Sequence, residues 1–450
     1  MAKRNFGAVA VDLGASSGRF AAGWLEEGRI RFEVVEQKAH NPVEHKGRLE
    51  WDLDSLVRIA RRGADYASEH FGSATIGIDS WGVDHGFIDA NGKLMGNPVC
   101  YRDLSHAKAF EQLSPCRAEL YRLTGIQHQP FNTICQLTAR RLEDPDLPKS
   151  ARFMILPDLI GYLLAGEVHH ELTQASTTQL LGLDSQWSER AYEIAGWPVP
   201  ENQPVKPAIL GGIVSPGVRL SHVGSHDTAS ALVGFGGQAD DLMYVNVGTW
   251  SLAMFIRDEP IATPEAERAN FTNERMADGR VRFLKNIPGF YILNRLHEEL
   301  KVRAPMADWI RAMEDSGEAI DLFDPVFFNP HSMVEACAKL LGRMPVSREE
   351  WAGIGVNSLA KAVATQPAEA AALGINPIRS IRIGGGGSQS EVLCQAIANA
   401  AGVPVYAGPV EATVLGNLGV QFLASGAIGS FAELADVIER SYRIQEYLPQ

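Results

Sequence analysis

The chain has 450 residues, 45% of them apolar, and a formal net charge of −13. This length exceeds what one hydrophobic core supports, so two domains of about 200 residues each are expected. The negative charge argues against nucleic acid or an anionic membrane as a partner. No run of about 18 apolar residues and no apolar signal core is found. With five dispersed cysteines, these features predict a reduced, cytoplasmic protein that no membrane holds.

The first predicted element is a strand–turn–strand hairpin. An apolar strand ends in Asp12, a turn of small residues (14–18, GASSG) follows, and a second apolar run starts at Phe20. Such a turn lets backbone N–H groups approach a phosphate, to which its serine hydroxyls and Arg19 would add donors. Asp12 at the strand end can face a hydrated Mg²⁺. The alternative is an ordinary hairpin with no ligand.

A mixed α/β sheet is predicted to follow. Residues 29–37 form a third strand, Asp52 or Asp54 caps an amphipathic helix, and residues 74–79 form the next strand. A strand pair through residues 86–89 would turn at an Asn-Gly dipeptide. Meandering strands of this kind do not form a simple dinucleotide-binding unit.

The second candidate site is the stretch 79–85, DSWGVDH, at a strand end. Trp81 offers an apolar plate, Gly82 gives close access to the backbone, and Asp84 can accept hydrogen bonds from hydroxyls, which is how a polyol is held. The alternative is a strand end with a buried tryptophan and a capping aspartate. Residues 171–179, rich in Thr and Ser, are predicted to form a loop nearby.

The third candidate site is a loop that enters a helix at His226, Asp227 and Thr228. Asp227 can cap that helix, or it can act as a general base that takes a proton from a substrate hydroxyl. Residues 234–239 match GxGxxA, but a helix precedes them and a strand follows, so they are predicted to be a loop between domains.

Residues 244–255 repeat the opening pattern of strand, Gly-containing turn and strand. Two such hairpins, one for each half of the chain, indicate a duplicated architecture that holds phosphate between the halves. Asn286 and Asn294 are polar residues that could face the cleft. A run of glycines at 384–387 could accommodate a flat adenine, because no Cβ blocks it. GxxxxGK[ST], GxSxG and HExxH do not occur, which excludes P-loop enzymes, α/β-hydrolases and zincins.

Taken together, these stretches resemble the FGGY carbohydrate kinases of the actin-like ATPase fold. The resemblance covers almost the whole chain, and its most specific parts are residues 11–19, 79–84, 225–230, 248–252, 285–287 and 408–413. It implies an α/β fold of two RNase H-like domains with the active site in the interdomain cleft. The N-terminal domain would span residues 1–226 and the C-terminal domain residues 227–450.

The resemblance also implies roles for individual residues. ATP would be bound by Ala15, Ser16, Ser17, Gly18, Arg19, Thr249, Asn294 and Gly387. The sugar would be bound by Gly82, His226, Thr228 and Asn286, next to the Trp81 and Asp84 inferred above. Asp227 would accept the proton, and Mg²⁺ would lie near Asp12.

The implied activity is transfer of the ATP γ-phosphoryl group to the 1-hydroxyl of a ketose, with L-rhamnulose as the first candidate. Asn294, residues 385–390 and His85 depart from the familiar pattern, so L-fuculose, L-xylulose, L-ribulose and D-xylulose stay open. An actin-like ATPase switch that modifies no sugar, or a non-catalytic sugar-binding regulator, are the alternatives from other classes. The expected partners are ATP, a ketose and, for the assembly, a second copy of the chain in a homodimer.

Overall fold

The computed structural model describes residues 3–237, 239–248, 250–327 and 330–450. The strands in those residues are β1 (Arg4–Leu13), β2 (Ser17–Glu26), β3 (Arg29–Ala39), β4 (Val43–His45), β5 (Arg48–Glu50), β6 (Phe71–Ser80), β7 (His85–Asp89), β8 (Ala151–Ile155), β9 (Ile209–Ser215), β10 (Val218–His222), β11 (Leu242–Val247), β12 (Ser251–Arg257), β13 (Thr272–Arg275), β14 (Val281–Ile287), β15 (Ser380–Gly384), β16 (Val405–Ala407) and β17 (Gln445–Tyr447).

The α-helices are α1 (Leu53–His70), α2 (Ala107–Leu113), α3 (Arg117–Thr124), α4 (Thr133–Glu143), α5 (Leu147–Ser150), α6 (Leu156–Ala165), α7 (Leu172–Ala175), α8 (Glu189–Ala195), α9 (Asp227–Gly234), α10 (Pro264–Arg268), α11 (Gly289–Glu299), α12 (Met306–Arg311), α13 (Met333–Leu341), α14 (Arg348–Ala364), α15 (Gln366–Ala371), α16 (Glu391–Ala401), α17 (Ala412–Ala424) and α18 (Phe431–Ser441). Short 3-10 helices lie at Leu104–His106, Ser114–Cys116, Pro325–Phe327 and Gly386–Gln389. Among the described helices, none is long and apolar enough to cross a membrane.

The chain forms two compact units, and each is assembled from separate segments. The first contains residues 1–237, 257–283 and 413–441. The second contains residues 238–256, 284–412 and 442–450. The predicted two-domain α/β fold is confirmed, whereas the predicted division after residue 226 stays a prediction.

The first unit is built on a six-stranded sheet of order β3-β2-β1-β6-β10-β9. Strand β1 pairs antiparallel with β2 and parallel with β6, and β6 pairs parallel with β10. Helix α1 covers one face because its apolar residues recur at helical spacing, and its predicted face, Leu56 to Ala67, is buried. Asp52 is its N-cap, where the side chain accepts from the amide of Ser55.

A second sheet, of seven strands in the order β13-β14-β12-β11-β15-β16-β17, repeats this arrangement around β11. Strand β11 pairs antiparallel with β12 and parallel with β15, and β15 pairs parallel with β16. The central strand therefore has the same neighbours in both units: a hairpin partner on one side and a parallel crossover strand on the other. This correspondence confirms the predicted duplication.

One local prediction was wrong, and another was confirmed but incomplete. The stretch 171–179 is not wholly a loop, because it contains the helix α7, which the Glu171 carboxylate caps by accepting from two backbone amides. Strand β7 does turn back at the Asn-Gly dipeptide as predicted, where Ile88 bridges antiparallel to Leu94 and the amide of Asp89 donates to the carbonyl of Lys93 at 2.8 Å. Its longer pairing, however, is antiparallel with β8, more than 60 residues away. A distant pairing of this kind leaves no local trace in the sequence.

Candidate functional site

The turn between β1 and β2 is open toward solvent, and some of its backbone N–H groups have no acceptor among the described residues. The hairpin pairs Leu13 with Gly18, and the amide of Gly14 donates to the carbonyl of Ser17 at 2.9 Å. The amides of Ala15 and Ser16 donate to no acceptor in the described part of the chain. Because an unpaired N–H group attracts an anion, this turn has the chemistry of a phosphate cradle.

Asp12 and Arg19 face each other across the same hairpin, where they are paired residues of the register. The Asp12 Oδ2 atom accepts from Arg19 Nε at 2.9 Å and from Nη2 at 2.7 Å. The sequence predicted Arg19 as a phosphate ligand and Asp12 as a metal ligand. In the structure these two side chains pair with each other, so each partly neutralises the charge of the other.

Asp79 is a buried carboxyl group directly beside Asp12, its partner in the parallel register of β1 and β6. Its Oδ2 atom accepts from Asn417 Nδ2 at 2.5 Å. Its Oδ1 atom has no hydrogen-bond partner among the described residues. Burial first, and then the charge of Asp12, hold the pKa of Asp79 well above its usual value. The strand ends thus bring two carboxyl groups to one place.

Trp81 and Asp84 lie below the surface, where they support the loop. Asp84 Oδ2 accepts from Trp51 Nε1 at 2.6 Å, from Trp81 Nε1 at 2.9 Å and from the amide of Tyr101 at 3.3 Å. Its Oδ1 atom accepts from Gln136 Nε2 at 3.0 Å. Burial raises the pKa of Asp84 to about 6 even though these hydrogen bonds oppose the shift. A carboxylate with this many protein donors has little capacity left for sugar hydroxyls.

The backbone between these residues is strained at Val83, a β-branched residue with φ of 73°. The Val83 carbonyl accepts from Thr133 Oγ1 at 2.7 Å and from Gln136 Nε2 at 3.3 Å, and its amide donates to Thr177 Oγ1 at 3.3 Å. Such a conformation persists only where the surroundings enforce it, and it is concentrated at functional sites. It sets the path of the chain past Gly82.

Asp227 is the first residue of α9, and its side chain is 29% exposed. Thr228 Oγ1 donates to its Oδ1 atom at 3.0 Å, and His226 Nε2 lies 3.6 Å from the same atom. Burial raises the pKa of Asp227, while the neighbouring His226 opposes that shift. A Cβ on Gly82 would lie 3.1 Å from His226 Nε2, so this glycine keeps the space beside the imidazole open.

The loop that leads into α9 is fixed by a buried glutamate. Glu171 Oε2 accepts from Thr173 Oγ1 at 2.6 Å and from the amide of Ser225 at 3.2 Å. The amide of His226 in turn donates to Thr173 Oγ1 at 3.1 Å. Burial raises the pKa of Glu171 to about 7. This network holds the start of α9 in position.

The second unit has its own hairpin turn and its own glycine loop. Thr249, predicted to contact phosphate, lies outside the described residues. A Cβ on Gly387 would lie 2.2 Å from Val247 Cγ1 and 3.2 Å from Phe290 Cε2, so only glycine fits there. Asn286 on β14 and Asn294 on α11 are both exposed.

Sequence reasoning missed several polar residues that support the site: Asn417, Glu171, Glu274 and Arg282. The last two lie on β13 and β14 of the first unit, where Arg282 Nη2 is 2.6 Å from Glu274 Oε2. The signal available was weak, since each is a polar residue in an otherwise apolar element. Among the described residues, no group of three or more His, Cys, Asp or Glu side chains could hold a metal ion.

Two family profiles match the chain. Residues 8–210 match the N-terminal domain of the FGGY family of carbohydrate kinases, and residues 243–425 match its C-terminal domain. Rhamnulokinase of Bacillus subtilis (strain 168) is 33% identical over 98% of this chain and 95% of its own length. Rhamnulokinase of Pectobacterium carotovorum is 36% identical over 100% of this chain and 94% of its own.

Solved structures show the same fold at low sequence identity. A ligand-bound xylulose kinase from Lactobacillus acidophilus is 15% identical, with a TM-score of 0.82 over 99% of this chain and 94% of that one. Glycerol kinase from Plasmodium falciparum with ADP is 13% identical, with a TM-score of 0.78 over 100% of this chain and 95% of that one. At such identities the likeness shows the fold alone.

Proposed function

Because the chain belongs to the FGGY family of carbohydrate kinases, and is thus an ATP-dependent sugar kinase, we propose that its acceptor is the 1-hydroxyl of L-rhamnulose. The name of the relatives that are 33% and 36% identical over nearly the full length supports this sugar over other ketoses. L-fuculose, L-xylulose, L-ribulose and D-xylulose stay as alternatives, since one hydroxyl contact can redirect specificity among them.

The observation that carries the proposal is the placement of Asp227. Its carboxylate is partly exposed at the start of α9, next to the imidazole of His226 and the space that Gly82 leaves open. Asp227 takes the proton of the 1-hydroxyl as the sugar oxygen bonds to the γ-phosphorus. The bond from that phosphorus to the bridging oxygen breaks, and its electron pair leaves with ADP. A positioned base of this kind contributes roughly 10²–10⁴ in rate.

The first unit would bind phosphate through the turn of residues 15–18, whose two unpaired amides support this role. Arg19 would act from its pair with Asp12. In the second unit, Thr249 would make the matching contact, Gly387 would line the adenosine site, and Asn294 would lie near the nucleotide.

Mg²⁺ fits the carboxyl pair at the ends of β1 and β6. Arg19 donates to the Oδ2 atom of Asp12, and the buried Oδ1 atom of Asp79 has no partner among the described residues. Mg²⁺ prefers oxygen ligands and keeps several waters, so one or two carboxylates and the substrate phosphates suffice. Asp12 would hold the ion, which when bound neutralises phosphate charge.

The sugar would contact Gly82, His226 and Thr228 of the first unit, and Asn286 of the second. Trp81 and Asp84 take a supporting role in this proposal, because their polar atoms are already hydrogen-bonded to one another and to the loop. A cytoplasmic setting accords with the five free thiols. A homodimer stays a prediction.

The test is ADP release measured against a panel of ketoses and polyols, with Asp227→Asn as the key variant. We expect L-rhamnulose to give the highest kcat/KM, and D227N to lose at least about 10² of kcat while its ATP affinity, measured by calorimetry, is retained. Asp146→Asn, which removes an exposed carboxylate of the same unit, is the matched control. Sugar-independent ADP release would instead favour an ATPase switch, and near-normal turnover of D227N would refute the base.

A further inference from the structure

An arginine without solvent contact lies against the imidazole that precedes the proposed base. Arg282 has an exposure of 0% and lies on β14 in the first unit. Its Nη2 atom is 2.6 Å from Glu274 Oε2 and also donates to Nδ1 of His226. Its Nε and Nη1 atoms have no hydrogen-bond partner within the part of the chain that the structure describes. A buried charge with so few partners is costly, which suggests that it serves the site.

The contact decides which nitrogen of His226 carries the proton. A guanidinium group donates and never accepts, so the Nδ1 atom that faces it must accept. The neutral imidazole then carries its hydrogen on Nε2. In the competing arrangement, Nδ1–H would donate to Glu274 Oε2 across the longer separation of 3.4 Å, and Arg282 Nη2 lies closer to that same oxygen, at 2.6 Å.

The Nε2–H group that results points toward the proposed acceptor site. Nε2 lies 3.6 Å from Asp227 Oδ1 and borders the space above Gly82. The charged groups that face this imidazole are Asp227 from α9, Glu274 from β13 and Arg282 from β14, and Glu171 lies one hydrogen bond further away, behind Thr173.

We propose that Arg282 and Glu274 are positioning residues that hold His226 as the Nε2–H tautomer, so that it donates a hydrogen bond to an oxygen of the sugar next to Asp227. This rests on the proposed function, because it takes Asp227 as the base and a sugar as the ligand. Arg282 touches neither Asp227 nor the sugar and acts through the imidazole of His226. Glu274 neutralises Arg282, and the guanidinium group donates to the lone pair of Nδ1. His226 is thereby a hydrogen-bond donor and not a second base.

The test combines histidine ¹⁵N NMR with steady-state kinetics. In the free enzyme labelled with ¹⁵N-histidine, with the His226 signals assigned by His226→Gln, we expect the Nε2–H tautomer. Arg282→Met should shift the neutral imidazole toward the Nδ1–H tautomer. It should raise KM for the sugar by roughly tenfold, the loss of about one hydrogen bond, with KM for ATP unchanged. Arg282→Lys, which restores a donor, should recover part of the effect.

If R282M does not fold, because Glu274 is left without its counter-charge, the charge-neutral pair R282M/E274Q replaces it. Arg280→Gln is the matched control, since this arginine lies on the same hairpin and pairs with Asp278. The inference is overturned if a folded variant keeps the Nε2–H signal and a sugar KM within twofold of the parent. It is also overturned if the parent shows the Nδ1–H tautomer. The NMR measurement needs no substrate, so a protein that phosphorylates no ketose would refute the proposed function and leave the tautomer result to stand by itself.

Discussion

Gly416 on α17 packs against α9, the helix that begins with Asp227. A substitution at Gly416 can therefore displace α9 without changing any residue of the proposed site. A Cβ at this position would lie 1.8 Å from the carbonyl oxygen of Ser230 and 2.8 Å from the amide nitrogen of Gly234, both backbone atoms of α9. Because both contacts are to backbone atoms, no change of side-chain rotamer can relieve them. Gly416→Ala must therefore move α17 and α9 apart by roughly 1.5 Å to reach ordinary van der Waals distance.

The energetic cost follows from two opposing effects. Replacing a mid-helix glycine by alanine gains about 1 kcal/mol of helix propensity. Overpacking costs about 1–3 kcal/mol and more where backbone must move, as it must here, so a net loss of about 2 kcal/mol or more is expected. Differential scanning calorimetry should show a Tm lowered by about 2–4 °C for each kcal/mol.

Gly419→Ala on the same helix is the matched control. Its Cβ would lie 2.7 Å from Leu434 Cδ1, a side-chain atom that can adjust, so Tm should be unchanged or higher. G416A should also lower kcat by about tenfold or more, because Asp227 is the proposed base and a displacement of about 1 Å at such a group has large effects. KM for ATP should not change. A G416A protein with the Tm of G419A and a kcat within twofold of the parent would refute the reasoning.

Two further predictions concern the loop proposed to bind the nucleotide and the pH dependence of stability. Gly387→Ala should raise KM for ATP by about tenfold, because its Cβ would lie 2.2 Å from Val247, whereas Gly386→Ala, with open space around it, should stay within twofold; equal effects would contradict this. Burial raises the pKa of Glu171 to about 7, so the folded state binds this proton more tightly than the unfolded chain does. Its contribution to the unfolding free energy is therefore full below about pH 4.5 and lost as the pH rises to 7. Relative to the parent, Glu171→Gln should gain about 3 kcal/mol in urea denaturation over that range, and a difference independent of pH would show the assignment to be wrong.

The sequence predicted those parts of the fold that local periodicity and turn chemistry determine. Both hairpins, the helix capped by Asp52 and the duplicated order around β1 and β11 agree with the structure. These features depend on neighbours within a few residues, so each leaves its mark in a short window. The family resemblance then extended them to the whole chain.

What could not be predicted depends on contacts between distant segments. Asn417 reaches Asp79 across 338 positions of the sequence, and the partner of β7 lies beyond α4. The hydrogen bonding of Asp84 is a further example. The stretch 79–85 contains the carboxylate, but the donors that bond to it come from Trp51, Gln136 and Tyr101, outside that stretch. The environment of His226 likewise requires β13 and β14, which follow it in the chain.

The first unit is made of three segments, and the last of them, residues 413–441, is close to the C-terminus. Helix α17 in that segment supplies Asn417 to Asp79 and Gln421 to the carbonyl of Val9, at the centre of the first sheet. During synthesis on the ribosome, the last buried polar groups of this sheet therefore have no partners until residues 413–441 have been made. A fragment cut after residue 237 would lack those partners, so the N-terminal half of this kinase is not expected to mature by itself.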